Sequence, residues 1–198
     1  EQPITEATPQ VPETPYGTTK LAAERMIRDY AAGHGIGAAI LRYFNACGAD
    51  ADGRHGESRN HETHLIPLIL AVAAGTRDHV KVFGSDWPTR DGTCVRDYVH
   101  VADLALAHEL AAEAIRPGHV DAYNVGNGDG TTVLEVVKAC EKAVGRPIAH
   151  EMADRRPGDP ATLVASPDKL VRELGWTPAF PHIDDIVATA WRWHESHP

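Results

Sequence analysis

The chain has 198 residues, a formal net charge of −9 and 42% hydrophobic residues. That length is enough for one domain with a real core, and the acidic balance argues against nonspecific binding to nucleic acid or anionic membrane. No apolar run approaches the roughly 20 residues of a membrane span, and the polar, proline-rich start shows no signal peptide.

Residues 1–14 carry three prolines among polar residues and read as irregular. The spacing predicts a helix over 15–32, with Leu21, Met26 and Ile27 on its apolar side and Gly33 and Gly35 at its end. Residues 38–43 are short and unbroken in their apolar character, which predicts a buried strand. A polar loop with His55, His61 and His64 follows, then a helix over 65–74 and a short strand centred on 81–83. GSDWPTRDGT is a loop rich in turn residues. Residues 97–101 read as extended and 102–115 as a helix, with Leu104, Ala107, Ala111 and Ile115 at helical spacing. A strand over 122–125 precedes a helix capped by Thr132 that stops at Gly145. Residues 148–152 suggest a strand. Ser166 and Pro167 open a short helix closed by Gly175, and Ile183, Ile186, Ala190 and Trp193 mark a last one. Strands alternate with helices, so the fold class is α/β.

Cys47, Cys94 and Cys140 are scattered and odd in number. This suggests buried thiols in a reducing, cytoplasmic setting rather than disulfides or a zinc site. The three loop histidines match no metal spacing, and the reading assigns no metal. NVGNGDGTT follows a strand and precedes a helix, but its spacing is G-x-G-x-G rather than G-x-G-x-x-G, so it reads as a tight turn.

The chemistry lies in TPYGTTKLAAERM, which places Tyr16 and Lys20 four residues apart on one helical face. An ammonium beside a phenol favours its ionised form, which suits proton transfer in alcohol/ketone redox chemistry. The strings PYGTTK, LRYFNACG, THLIP, GTCVRDYVHVADLALAH, YNVGNG, RRPGDPATLVAS and ELGW occur in this order. Together they resemble the second half of an extended short-chain dehydrogenase/reductase, most closely the UDP-glucose 4-epimerases.

The resemblance implies a remnant of a Rossmann-type parallel sheet with a smaller α/β substrate domain. Residues 1–45 would belong to the NAD-binding part and 46–198 mainly to the UDP-sugar domain, with about 97–126 packing back on the Rossmann sheet. It implies interconversion of UDP-glucose and UDP-galactose through a 4-keto intermediate with tightly bound NAD, in a homodimer. Tyr16 and Lys20 would be catalytic and, with Tyr43 and Phe44, would contact the cofactor. Asn45, Arg96 and Arg156 would hold the diphosphate, and Asp159 the ribose. Lys81, Val82 and Phe83 would hold uracil, largely through backbone groups. Leu65 and Val133 would be apolar walls, and His64 stands where some members have asparagine. Leu163 aligns with a position that gates sugar size, and a leucine there implies room for N-acetylated sugars.

The chain departs from the family at its start: no strand with a glycine-rich turn precedes Tyr16, and about the first 40% of a typical member has no counterpart. On this reading the isolated chain binds NAD weakly or not at all and does not epimerise. The alternatives are another nucleotide-sugar epimerase or dehydratase, or a non-catalytic UDP-binding module.

Overall fold

The computed structural model describes residues 2–197. Helix α1 spans Pro15–His34. Thr14 caps it by accepting a hydrogen bond from the Gly17 amide at 3.1 Å, proline occupies the first turn, and Gly35 ends it in the left-handed conformation at φ 67°. The expected apolar side is not the buried one. Met26 is 70% exposed, Ile27 and Tyr30 are exposed, and the buried residues are Glu24 and Ala31. The helix rests on strand β1 (Ala38–Tyr43) through an ion-pair network rather than an apolar stripe.

β1 pairs in parallel with β6 (Val120–Val125). Beyond Phe44, β2 (Asn45–Cys47) pairs in parallel with β5 (Tyr98–His100). β3 (Val80–Phe83) pairs in parallel with β8 (His150–Ala153). A third arrangement centres on β4 (Val95–Arg96), antiparallel to β7 (Thr131–Thr132) and parallel to β9 (Thr162–Leu163). The remaining helices are α2 (Leu65–Ala73), α3 (Val101–Glu113), α4 (Val133–Val144), α5 (Asp168–Leu174) and α6 (Ile183–Ser196). Val101 therefore opens α3 rather than closing a strand, and Pro167, with no side-chain cap, precedes α5. Residues 2–14 are not wholly irregular: Ile4 bridges to Ala165, exchanging backbone hydrogen bonds with Val164 and Ser166 at 2.8 Å each.

Two apolar cores result. One gathers α2, α4 and α6 around Ile69, Leu70, Val136, Cys140 and Ile186. The other packs α3 and α5 against β1 and β6 through Ala107, Tyr123, Val125, Leu170 and Trp176. All three cysteines are free and buried, and burial pushes the Cys140 thiol up to about 12. Buried Asp103 ties the second core to the start of α6: its carboxylate accepts from the amides of Ala179 and Phe180, and its carbonyl accepts from the Trp176 indole.

His100 joins the cores. It is fully buried and stacked on Phe180 at 4.0 Å between ring centroids. Its Nδ1 accepts from the Ala102 amide at 3.0 Å, which leaves Nε2 to donate to Thr189 Oγ1 at 3.0 Å. Thr189 in turn accepts from the Ala49 amide and donates to the Ile186 carbonyl. Burial pushes this imidazole below its usual range, against the opposing charge of Asp103. The unfolded chain then takes up the proton first as pH falls, so this stability is complete above about pH 6.5 and lost below it. His100→Gln keeps an acceptor and a donor. Denaturant titrations are expected to show a shallower loss of stability below pH 6.5 in that variant than in the parent; equal slopes would contradict the neutral imidazole.

Candidate functional site

The strand pairings collect residues far apart in sequence. The parallel register of β4 and β9 sets Arg96 opposite Leu163, and β7 sets Thr131 on the other side, two residues before Val133. Arg96 is largely buried. Its Nη1 donates to the carbonyls of Val95 and Pro160 at 2.8 and 2.9 Å, and its Nη2 lies 3.7 Å from Asp159 Oδ1. Arg156 Nε donates to Asp159 Oδ2 at 2.8 Å, and its guanidinium sits 4.8 Å from the centroid of the Phe83 ring. Phe83, Arg96, Arg156, Asp159 and Leu163 thus form one patch. Two guanidinium groups share one carboxylate, which leaves a local positive charge on an acidic protein. Arginine forks over an aromatic ring suit a nucleotide diphosphate. Val82 is fully buried, so at β3 it can offer only backbone groups, while Lys81 is exposed.

A second Arg–aromatic pair beside this patch escaped the sequence reading. Arg155 stacks on Trp87 at 3.9 Å and donates to Asp86 at 2.7 Å. The RRPGD doublet was the available signal, but nothing in it shows which arginine turns to which ring.

Tyr43, Phe44 and Asn45 lie where β1 passes into β2, the carboxyl end of a parallel strand, which is where open α/β sheets receive ligands. Tyr43 is half exposed, with its ring 6.0 Å from that of His108. On α1, Tyr16 is 72% exposed, and Lys20 Nζ stands 5.2 Å from its ring centroid. His64 precedes α2 and Leu65 opens it. His64 Nδ1 is 2.6 Å from Glu57 Oε1, and Glu57 also receives Arg59 at 2.9 Å. Glu62 brings a second carboxylate to this group, and it accepts from the amides of Thr63 and His64.

The residue that organises these parts is Asp97, which the sequence reading passed over inside VRDYVHV. It is 1% exposed. Oδ1 accepts from the Asn127 amide at 2.7 Å, and Oδ2 from the amides of Gly128 and Ala165 at 3.1 and 3.0 Å. Its own carbonyl accepts from the amide and side chain of Asn45 at 3.0 and 2.7 Å. Burial raises its pKa, and the three amide hydrogen bonds oppose that rise. The glycine-bearing turn of NVGNG therefore spends its amides on Asp97. It is a structural turn, not a pyrophosphate cradle. A Cβ at Gly126 would lie 2.4 Å from Asp97 Oδ2. Among the described residues, exposed Tyr16 with Lys20 beside its ring and the end of β1 are the parts that the resemblance assigns to the cofactor. Asp97→Asn would point an amide donor at backbone N–H groups and is expected to cost about 2–3 kcal/mol in denaturant unfolding; a change below about 0.5 kcal/mol would contradict this role.

The family profile described as GDP-mannose 4,6 dehydratase matches residues 1–189. The UDP-glucose 4-epimerase of Halalkalibacterium halodurans is 49% identical over 197 residues, covering 99% of this chain and 59% of that protein. The UDP-glucose 4-epimerase of Corynebacterium glutamicum is 52% identical over 189 residues, covering 96% of this chain and 57% of that protein. The crystal structure of UDP-glucose 4-epimerase from Bifidobacterium longum in complex with NAD+ and UDP superposes with a TM-score of 0.93 at 43% identity, covering 100% of this chain and 60% of that one. The chain thus spans about three fifths of the length of these relatives. With a profile match that runs almost end to end, the chain belongs to the GDP-mannose 4,6 dehydratase family.

Proposed function

We propose that these residues serve an NAD-dependent UDP-glucose 4-epimerase, a homodimer of the cytoplasm that interconverts UDP-glucose and UDP-galactose. The observation that carries this reading is the convergence of Arg96, Arg156, Asp159 and Phe83, from three separate chain segments, on one patch. The relatives at about half identity over nearly the whole chain support it. Residues 1–45 and about 97–126 serve the cofactor side, and the rest mainly the substrate side. The exposed Met26, Ile27 and Tyr30 support a partner surface on α1 in the dimer.

Tyr16 takes the proton of the sugar 4-hydroxyl and later returns it. Lys20, over the ring face, stabilises the negative charge that the oxygen gains and holds the nicotinamide ribose. NAD, when bound against Tyr43 and Phe44, supplies reversible hydride exchange at sugar C4. The protein holds the nucleotide at its far end and leaves the sugar free to turn. Arg96, Arg156 and Asn45 grip the diphosphate, and Asp159 accepts from the ribose. Backbone groups of Lys81 to Phe83 meet uracil, and His64, Leu65 and Val133 close the sides. This division lets one grip serve both epimers, because nothing at the diphosphate distinguishes the C4 configuration.

Two outcomes test this reading in the longest natural polypeptide that contains these residues. Tyr16→Phe is expected to lower kcat for UDP-galactose conversion by about 10²–10⁴-fold; undiminished turnover would refute the assignment. Leucine at 163 leaves more room than tyrosine, so UDP-N-acetylglucosamine is expected to be a substrate. Leu163→Tyr is expected to remove that activity while sparing UDP-glucose. Failure of the parent with the N-acetylated sugar alone would remove the gating role of Leu163.

A further inference from the structure

Glu24 is a buried acid on a helix that buries little else, and nothing in the reaction outlined above uses it. Its carboxylate accepts four hydrogen bonds. Arg42 donates from Nε at 3.0 Å and from Nη2 at 2.5 Å, Gln10 from Nε2 at 3.0 Å, and Arg28 from Nη2 at 3.1 Å. Arg42 also donates to the Glu6 carbonyl at 3.3 Å, and the Glu6 carboxylate accepts from the Asn124 amide at 2.8 Å. The network around this carboxylate thus links α1, β1 and the segment before α1, and through Glu6 it reaches β6.

Three features give this network a directional task. At 100° per residue, Tyr16, Lys20 and Glu24 fall within about 80° of one helix face. Glu24 is the first buried residue of α1, and the next, Ala31, lies two turns further on. No apolar stripe therefore fixes how the Tyr16 end of the helix is rotated. Arg42 immediately precedes Tyr43 and Phe44, and a two-pronged guanidinium–carboxylate contact fixes angle as well as distance. Burial raises the Glu24 pKa, but the hydrogen bonds from Arg42, Gln10 and Arg28 and the charge of Arg42 prevail and hold it down to about 2. The contact keeps its charge across the neutral range.

We propose that Glu24 is a positioning residue: its clamp on Arg42 sets the rotation and distance of the Tyr16–Lys20 face relative to the Tyr43–Asn45 end of β1. The proposal rests on the epimerase reading for its activity test. Misplacing a reacting group by about an ångström costs up to about a hundredfold in rate. The diphosphate patch shares no residue with the clamp, so nucleotide binding should be spared.

The test uses the longest natural polypeptide containing these residues, supplied with NAD. Glu24→Gln keeps the shape and loses the charge. It is expected to lower kcat about tenfold or more with KM for UDP-glucose within about twofold. Arg42→Lys, which replaces the fork with a single ammonium, is expected to show the same kcat-only loss to a smaller extent and covers the case where Glu24→Gln does not fold. An unchanged kcat, or a loss carried by KM, would overturn the proposal. Absence of turnover in the parent would fail the epimerase reading by itself. Hydrogen exchange then decides the clamp. Loss of protection in Glu24→Gln confined to amides 17–28, with 95–100 unaffected, supports it; unchanged or uniformly lost protection overturns it.

Discussion

The candidate site is assembled around one buried carboxylate. Asp97 accepts amides from two loops and offers its carbonyl to Asn45, so four chain segments meet at a single residue. A buried charge without partners is costly, and this one is tolerated because backbone donors converge on it. The same convergence holds the turn after β6 and the strand that carries Leu163 against the β4–β5 junction. Arg96 precedes Asp97 directly, so the arginine inherits a fixed origin. The glycines of the turn follow from this geometry: a side chain at Gly126 would collide with the carboxylate, and one at Gly130 would meet Val164 and Val95. A run that looks like a phosphate loop is thus explained by an internal anion.

Local signals carried the helices, because their ends are set by contacts a few residues apart. Gly35 ends α1 as expected, and Thr132, expected as a cap, completes a capping box with Glu135 on α4. Strands of two or three residues left no periodicity to detect, and β2, β4, β7 and β9 exist because partners from distant segments align with them. The apolar side of α1 was misread for a related reason. Its hydrophobic residues are spaced like a core face, but the charge network around Glu24 fixes which side packs. Tyr16, Arg96, Arg156 and Asp159 were legible as motif members. That Arg96 and Asp159 approach each other was not, since it follows from a parallel pairing across 67 residues.

The two arginines of the patch differ in a way that bears on ligand capture. Arg96 is held by two backbone carbonyls and lies mostly under the surface, so its position is set by the protein's own backbone. Arg156 is more than half exposed and is held by Asp159 and the face of Phe83. Asp159 thereby does more than lower the net charge. Without it, two guanidinium groups close together would repel, and the outer one would gain freedom that binding must remove again. With it, the outer arginine is already turned toward the inner one, and on the proposed reading a diphosphate would complete the set of acceptors the donors lack. A carboxylate in an anion site costs some attraction but preorganises the forks that provide the rest. On the proposed reading that trade would favour an ordered diphosphate over any single free anion, because only a ligand able to engage both guanidinium groups recovers the full gain.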